Sequence, residues 1–271
     1  MGIPDFFSSG MAALRLGVFG GVFAVMAAWE TLLPRRRLTT PKGARWLRNL
    51  SLAFLNGICI RLLVPLQAFG VAAIAEKNGW GLLQVAGVPP LVALPAAVVA
   101  LDLAIYAQHW YFHRNPLLWR LHMVHHVDLD IDVTTGARFH PLEILLSMAI
   151  KMAFVLAIGA PAAAVVLFEI LLNATAMFNH GNVRMGAALD RALRTVLVTP
   201  DMHRVHHSVI PRETFSNFGF NLPWWDRLFG TYRPQPQEGH DGMEIGLPWF
   251  RDPGQVVLGW LLVLPFRKRS W

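Results

Sequence analysis

Eight of the eleven histidines stand in three short clusters whose spacing suits metal binding. The clusters read HWYFH, HMVHH and HRVHH, and every histidine of the chain lies after residue 108. Residues three or four apart share a face of a helix, so each cluster directs its imidazoles toward one side. Neutral imidazole binds zinc, copper, iron and nickel, so the clusters predict a metal centre. The eight predicted ligands are His109, His113, His122, His125, His126, His203, His206 and His207.

Eight imidazoles are too many for one ion, and their number predicts a centre with two metal ions. His180, at the end of the apolar segment that precedes it, is a ninth predicted ligand. Other polar residues are candidate ligands or partners of ligands, because a ligating histidine commonly donates its second N–H to a carboxylate. Helix capping, ion pairing or a solvated loop are alternative roles for residues of this kind. The candidates are His140, Asp102, Asp128, Asp132, Glu169 and Asn173.

The composition predicts that these residues belong to an integral membrane protein. Only 15% of the 271 residues are charged, whereas a soluble domain carries about 25%. Three apolar runs, at about 11–33, 50–75 and 82–107, are each long enough to cross the hydrocarbon core. A longer run, 144–178, is divided by Gly-Ala-Pro at 159–161, which stops a helix. This run predicts a hairpin that starts and ends on the same side, and Lys151, midway along its first arm, leaves full crossing open.

Basic residues in the short loops predict the orientation of the chain. The loop between the first two runs carries Arg35, Arg36, Arg37, Lys42, Arg45 and Arg48. The next loop, EKNGWG, has one lysine balanced by one glutamate. The positive-inside rule puts the first loop in the cytoplasm, and the hairpin then leaves every histidine cluster on that face. The net charge of +7 is explained by this topology, so we expect no nucleic acid partner.

The order of the three histidine clusters after a membrane span resembles the fatty acid hydroxylase and sterol desaturase superfamily. The runs RFHPLE, FNHGNVR, TPDMHRVHHS and SNFGFNLPWWDRLFGTY extend the resemblance over residues 102–232. It departs at Phe215, where many relatives carry an acidic residue. The resemblance implies a di-iron centre, held by the eight motif histidines, that activates O₂ to hydroxylate or desaturate a sterol, fatty acyl or related lipid.

The resulting prediction is an all-α integral membrane helical bundle with a cytoplasmic helical cap that carries the dimetal site. Residues 1–108 would form the N-terminal transmembrane helices. Residues 109–240 would form a fatty acid hydroxylase-like catalytic region that includes the hairpin. Residues 241–271 would form a C-terminal interfacial segment, in which the apolar run 256–266 is too short to span a membrane and reads as an interfacial or docking helix.

The same prediction specifies partners and leaves alternatives open. The sequence has neither a GxGxxG dinucleotide motif nor a haem attachment motif. Electrons would therefore come from a separate protein, a ferredoxin or a b-type cytochrome with its reductase, and the substrate would be a membrane lipid. Zinc could substitute for iron on the same imidazoles, which makes a zinc-dependent membrane hydrolase an alternative. A histidine-lined metal transporter is less favoured, because the clusters lie at one membrane face.

Overall fold

The computed structural model describes residues 3–254 and 256–267. In the first half of the chain the helices are α1 (Ile3–Leu32), α2 (Lys42–Leu63), α3 (Gln67–Asn78), α4 (Leu82–Val85), α5 (Pro90–Arg114) and α6 (Pro116–His126). In the second half they are α7 (Pro141–Ile158), α8 (Ala162–Asn179), α9 (Ala187–Leu193), α10 (Pro200–His206), α11 (Pro211–Thr214), α12 (Trp224–Leu228), α13 (Gly239–Gly242) and α14 (Leu258–Val263). Within these residues, β pairing is limited to two isolated bridges, so the all-α prediction is confirmed.

Five segments of the described chain are long and apolar enough to cross a membrane. They are Ala13–Leu32, Lys42–Val85, Pro90–Arg114, Pro141–Ile158 and Ala162–Asn179. Large apolar side chains on these segments are exposed, as expected for surfaces that face lipid rather than water. The bundle therefore presents the predicted spans, with different bounds.

Proline sets the bounds of the second and third spans. The run predicted as one span over 50–75 forms two helices, α2 and α3, which are separated by residues 64–66 because Pro65 cannot donate to a helical hydrogen bond. The run predicted over 82–107 contains the single turn α4 and then α5, which begins at Pro90. Proline is well suited to a first helical position. Since α5 continues to Arg114, it carries the first histidine cluster itself.

The predicted hairpin is formed by α7 and α8, each 18 residues long, or about 27 Å at the usual helical rise. Gly159 ends α7 with a φ of +66°, a conformation that favours glycine. The tip lies against the chain between α3 and α4, where a Cβ added to Gly81 would come within 2.2 Å of the Gly159 nitrogen. The hairpin thus runs the length of the bundle, from the histidines at one end to this contact at the other.

Small side chains let the membrane helices approach closely. The core shared by α3, α5, α7 and α8 consists of Ala68, Ala72, Ala97, Leu101, Val155, Ala160, Ala164, Val165 and Phe168. Alanine interfaces of this kind allow tight van der Waals packing between helices in lipid, where no hydrophobic effect draws them together. This packing positions the ends of α5 and α8, which carry His109, His113 and His180.

The predicted C-terminal segment docks on the histidine-bearing helix α6. Leu261 and Leu264 are fully buried in a cluster with Met123 and Val124 of α6 and Leu52 of α2. The segment therefore packs against α6 through Met123 and Val124, which favours the docking interpretation of 256–266. Residues 255 and 268–271 of the predicted segment lie outside the described residues.

Candidate metal centre

A one-residue corner places two histidine clusters against each other. α5 ends at Arg114 and α6 begins at Pro116, so only Asn115 connects them. The Asn115 Oδ1 accepts hydrogen bonds from the backbone N–H groups of Leu117 and Leu118, at 3.0 and 3.2 Å. This side-chain cap stabilises the first turn of α6. Across the corner, the rings of His113 and His122 have centroids 4.9 Å apart.

The third cluster is carried by a short helix with a similar start. Thr199 caps α10 by accepting the Met202 N–H at 3.3 Å, and it donates its own hydroxyl to Asp190 at 2.6 Å. Pro200 follows at the first helical position. His203 and His206 lie within the helix, and His207 is the residue that ends it. α10 packs against the end of α8, so His180 lies beside the third cluster, 4.4 Å from His203 between ring centroids.

The structure brings all nine predicted ligands together and divides them into two groups. Within each group, one nitrogen from every ring lies within 4.8 Å of the others, and every ring is buried. The first group is His109, His113, His122, His126 and His206. The second group is His125, His180, His203 and His207. Groups of five and four imidazoles are donor sets for two neighbouring metal ions.

Hydrogen bonds donated by Nδ1 orient several of the rings so that Nε2 points into the cluster. Four rings donate to backbone carbonyls: His109 to Phe218 at 2.8 Å, His125 to Arg138 at 3.1 Å, His180 to Ala176 at 2.7 Å and His206 to Ser216 at 2.7 Å. A carbonyl accepts only, so Nδ1 carries the proton and Nε2 keeps its lone pair. A metal ligand of this type commonly has such a partner on its other nitrogen.

The inward nitrogens lack partners among the described residues. The Nε2 atoms of His109, His122 and His206 are buried without a hydrogen bond. In the second group, His180 Nε2 lies 3.1 Å from the Nε2 atoms of both His125 and His203. Because the His125 and His180 protons are on Nδ1, the contact between these two rings places one acceptor nitrogen against another, which is unfavourable without a cation between them. The residues therefore fit a pair of metal ions.

Burial keeps the imidazoles outside the membrane spans neutral. It lowers the pKa of His122 to about 3 and that of His180 to about 4. Burial, followed by the neighbouring imidazoles, also holds the pKa values of His125, His126 and His207 well below their usual range. Neutral imidazole is the form that binds metal, so the cluster needs no proton release to accept ions near neutral pH.

Glu143 is a functional residue whose role was not predicted from the sequence. Its Oε1 lies 2.6 Å from His122 Nδ1, and both side chains are buried. The carboxylate accepts the Nδ1 proton and thereby points Nε2 of His122 into the first group. In the sequence, Glu143 stands three residues after His140 in RFHPLE. Its partner His122 lies 21 residues earlier in the chain, so the pairing has no local sequence signal.

His140 and Asp102, two candidate ligands, instead position parts of the chain around the centre. His140 caps α7, since its Nδ1 accepts the Leu142 N–H at 3.2 Å, and its Nε2 is paired with the Leu262 carbonyl at the same distance. Asp102 accepts the Trp225 indole N–H at 2.8 Å and two backbone N–H groups from 221–222. Neither belongs to the two histidine groups. Through its bond to Trp225, Asp102 ties α5 to the start of α12.

Asp128 and Asp132, candidate partners of histidines, pair instead with a basic residue from the first loop. Arg45 donates to both oxygens of Asp128, at 2.8 and 2.9 Å, and to Asp132 at 2.6 Å. Burial would raise the pKa of Asp128, but the charges of Arg45 and Arg138 hold it well below its usual range. This network fixes the chain directly after α6 against α2.

Glu169 and Asn173, the last two candidates, lie away from the histidine groups. Glu169 pairs with Lys151 and Arg15, each at 2.8 Å, within the membrane bundle. Asn173 donates to the Glu169 carbonyl one turn earlier on α8, at 2.8 Å. Glu169 lies eleven residues before His180 on the same helix, or about three helical turns from the centre.

The loop 215–222 supplies the carbonyls that orient His109 and His206. Asn217 has a φ of +53° and bonds the backbone of Met202 and Arg233 on either side of the loop. Asp226 is fully buried and accepts the Phe218 and Gly219 N–H groups, both at 2.8 Å. The SNFG and WWD motifs thus serve to hold two imidazoles in place, and Phe215 packs against the His113 ring, 5.7 Å between centroids.

A cavity of about 610 Å³ joins the centre to the membrane bundle. It is bounded by α1, α2, α5, α7 and α8, and it reaches His109 and His122 at the metal end. Most of its wall is apolar, including Phe19, Ile105 and Met148. A cavity of this size and lining can hold a drug-sized apolar molecule or a segment of a lipid.

Removing the Glu143 carboxylate should weaken metal binding without removing a ligand. We expect Glu143→Ala to lower metal affinity by about 10- to 100-fold, the usual cost of losing such a partner. The reason is that His122 Nδ1 would no longer be held by an acceptor. Chelator competition on the purified, metal-loaded protein measures the change. Glu143→Gln keeps an acceptor oxygen and should lie between wild type and Glu143→Ala; equal affinities for all three proteins would contradict this role.

A family model and several curated proteins are similar to the chain. The model described as fatty acid hydroxylase matches residues 94–231, just over half of the chain. The ornithine lipid hydroxylase OlsE of Rhizobium tropici is 29% identical over 175 residues, which cover 64% of this chain and 50% of that protein. The alkylglycerol monooxygenase of Xenopus tropicalis is 27% identical over 165 residues, covering 59% and 34%.

The sphingolipid C4-hydroxylase sur2 of Schizosaccharomyces pombe is also similar, with 29% identity over 184 residues that cover 64% of this chain and 61% of that protein. The chain therefore matches between about one third and three fifths of the length of these relatives. No solved structure is significantly similar. The region matched by the family model contains all nine histidines of the two groups.

Proposed function

Because the chain belongs to the fatty acid hydroxylase family, we propose that it is a membrane-bound, oxygen-dependent oxidoreductase that hydroxylates or desaturates a C–H bond of a lipid. The lipid is a sterol, a fatty acyl chain or a related molecule. The observation that carries the proposal is a pair of buried histidine groups, the first of which borders an apolar, lipid-sized cavity through His109 and His122. The three relatives described above are named for hydroxylation or monooxygenation of lipids.

The nine histidines would hold two iron ions, which supply oxygen activation when bound. The surrounding protein keeps these imidazoles neutral, fixes their orientation and excludes water from them. Carbonyls of the loop 215–222 and the carboxylate of Glu143 fix the ring tautomers. The apolar walls from α5 and α7 align a lipid segment with His109 and His122 and exclude water from them.

The proposal includes a cytoplasmic active site and a separate electron donor. The basic segment 35–48, which includes the first turns of α2, lies at the histidine end of the bundle, where Arg35 bonds Asp201 of α10 and Arg45 bonds Asp128. By the positive-inside rule this end faces the cytoplasm. A ferredoxin, or a b-type cytochrome with its reductase, would deliver electrons there. Residues 109–240 would then act as the catalytic region on the support of the helices in 1–108.

Labelled oxygen tests the reaction and metal analysis tests the centre. Lipids from cells with and without the protein would be compared after growth under ¹⁸O₂. For a hydroxylase we expect a lipid that carries the label only in cells with the protein, and for a desaturase a lipid with one more double bond only in those cells. The purified protein should contain iron, with about two ions per chain from the donor sets. Stoichiometric zinc, together with activity that does not depend on oxygen, would contradict the proposal and favour the hydrolase.

A further inference from the structure

Three charged side chains lie inside the membrane bundle, where the metal centre does not explain them. Lys151 of α7 and Arg15 of α1 each contact one oxygen of Glu169 on α8, at 2.8 Å. The side chains of Lys151 and Glu169 are each 12% exposed and that of Arg15 is 28% exposed. Two cations and one anion leave this triad, Arg15–Glu169–Lys151, with a formal charge of +1.

Packing of the helices does not account for the triad. Charges within a membrane span are expensive, and they mark functional sites by default. Replacing a buried ion pair by apolar residues is often neutral or stabilising, so the pairs are weak candidates for a purely structural role. The same helices already pack through small apolar side chains in the core formed by residues such as Ala164 and Val165. A binding role therefore explains the triad better than a structural one.

All three members line the cavity that reaches the metal centre. Its wall includes Arg15, Lys151 and Glu169 as well as His109 and His122. Lys151 is eight residues beyond the His122 partner Glu143 on α7, which corresponds to about 12 Å along the helix. A molecule in the cavity can thus touch the triad while an apolar segment about this long extends to the histidines.

The triad has a hydrogen-bond donor without a partner in addition to its net positive charge. Arg15 Nε is buried and has no hydrogen-bond partner among the described residues. Arginine and lysine bind carboxylate and phosphate oxygens through charge-assisted hydrogen bonds, which are stronger than neutral ones. An anionic oxygen group would satisfy this donor and neutralise the triad in a surrounding of low dielectric constant, where the attraction is strongest.

From this geometry we infer that the Arg15–Glu169–Lys151 triad is a subsite for an anionic oxygen group, a carboxylate or a phosphate, on the lipid substrate. The inference rests on the proposed function in one respect, that the cavity holds the lipid that is oxidised. Bound at the triad, the anion would set which carbon of the apolar segment lies beside the histidines. The triad would thereby select both the substrate and the position of the reaction.

A charge series tests the subsite by equilibrium binding. Metal-loaded protein in phosphatidylcholine nanodiscs, without oxygen or electron donor, would be titrated with palmitate, hexadecyl phosphate and methyl palmitate. Lys151→Met reduces the triad's formal charge to zero, Glu169→Gln raises it to +2, and the double variant restores +1. We expect about tenfold weaker binding of the anions to Lys151→Met, equivalent to roughly 1.4 kcal/mol. Glu169→Gln should bind them more tightly and the double variant should match wild type.

The neutral ester should bind all four proteins alike, and the anion that binds more tightly identifies the carboxylate or phosphate class. Metal content and thermal midpoints verify that each variant is folded. Anion affinities that do not follow the formal charge, or an ester that follows it equally, would overturn the subsite. Because no turnover occurs, that result would leave the oxygenase proposal standing. Conversely, zinc with oxygen-independent activity would overturn the oxygenase and leave the charge series unaffected.

Discussion

Replacing His206 by alanine is expected to abolish lipid oxidation, with activity at least about 100-fold below wild type, because the mutation removes a ligand from the five-histidine group. The Nε2 of His206 points into that group while its Nδ1 is held by the Ser216 carbonyl at 2.7 Å. Iron content per chain and product formation from the lipid identified under labelled oxygen measure the effect.

His240→Ala is the matched control for this variant. His240 is also buried, but it belongs to neither histidine group, and its Nε2 lies 3.7 Å from Asp201 Oδ2. We expect His240→Ala to keep both metal content and activity close to wild type. Membrane insertion and extraction in detergent should be the same for both variants, since neither side chain lies in a membrane span. Full activity and full iron content in His206→Ala would show that His206 is not an essential ligand.

The histidine spacing predicted which histidines come together, but not which of the two groups each one joins. In HMVHH, His122 and His126 enter the first group, whereas His125 enters the second. In HRVHH the division is different, with His206 in the first group and His203 and His207 in the second. Helical periodicity gives the face of each helix, but the division depends on how α6 and α10 cross and on His207 standing just past the end of α10. Tertiary packing of this kind has no local signal.

The residues around the histidines were predicted least well, because their partners are distant in the chain. Asp102 was a plausible partner of His109 by helical spacing, but it bonds Trp225, which is 123 residues away. Arg45 was interpreted as a topology signal, yet it is 3% exposed and paired with carboxylates more than 80 residues away. Hydropathy treats every charge as a surface feature, so it cannot distinguish a solvated arginine from a buried one.

Replacing Arg45 by methionine is expected to destabilise the protein by about 3–5 kcal/mol, the usual result of leaving a buried charge without its partner. Asp128 and Asp132 would both lose a donor within 3 Å, and both are almost fully buried. They lie in the chain directly after α6, so their displacement would also loosen the second histidine cluster. The thermal midpoint of the purified protein should fall by on the order of 10 °C, and iron should be lost more readily to a chelator.

The control is Arg48→Met on the same helix. Within the described part of the chain, Arg48 makes one side-chain hydrogen bond, to the Pro253 carbonyl at 2.9 Å near the surface, so we expect a change within about 0.5 kcal/mol. Adding Asp132→Asn to Arg45→Met should recover part of the lost stability, because it removes the buried carboxylate that has lost its basic partner, whereas Asp128 keeps Arg138 at 3.9 Å. If Arg45→Met and Arg48→Met have equal midpoints, or if the double variant is less stable than Arg45→Met, the buried ion pair does not hold the second cluster in place. The result separates two roles for a basic residue beside a membrane span: Arg48 would act through topology alone, whereas Arg45 would also position the metal centre.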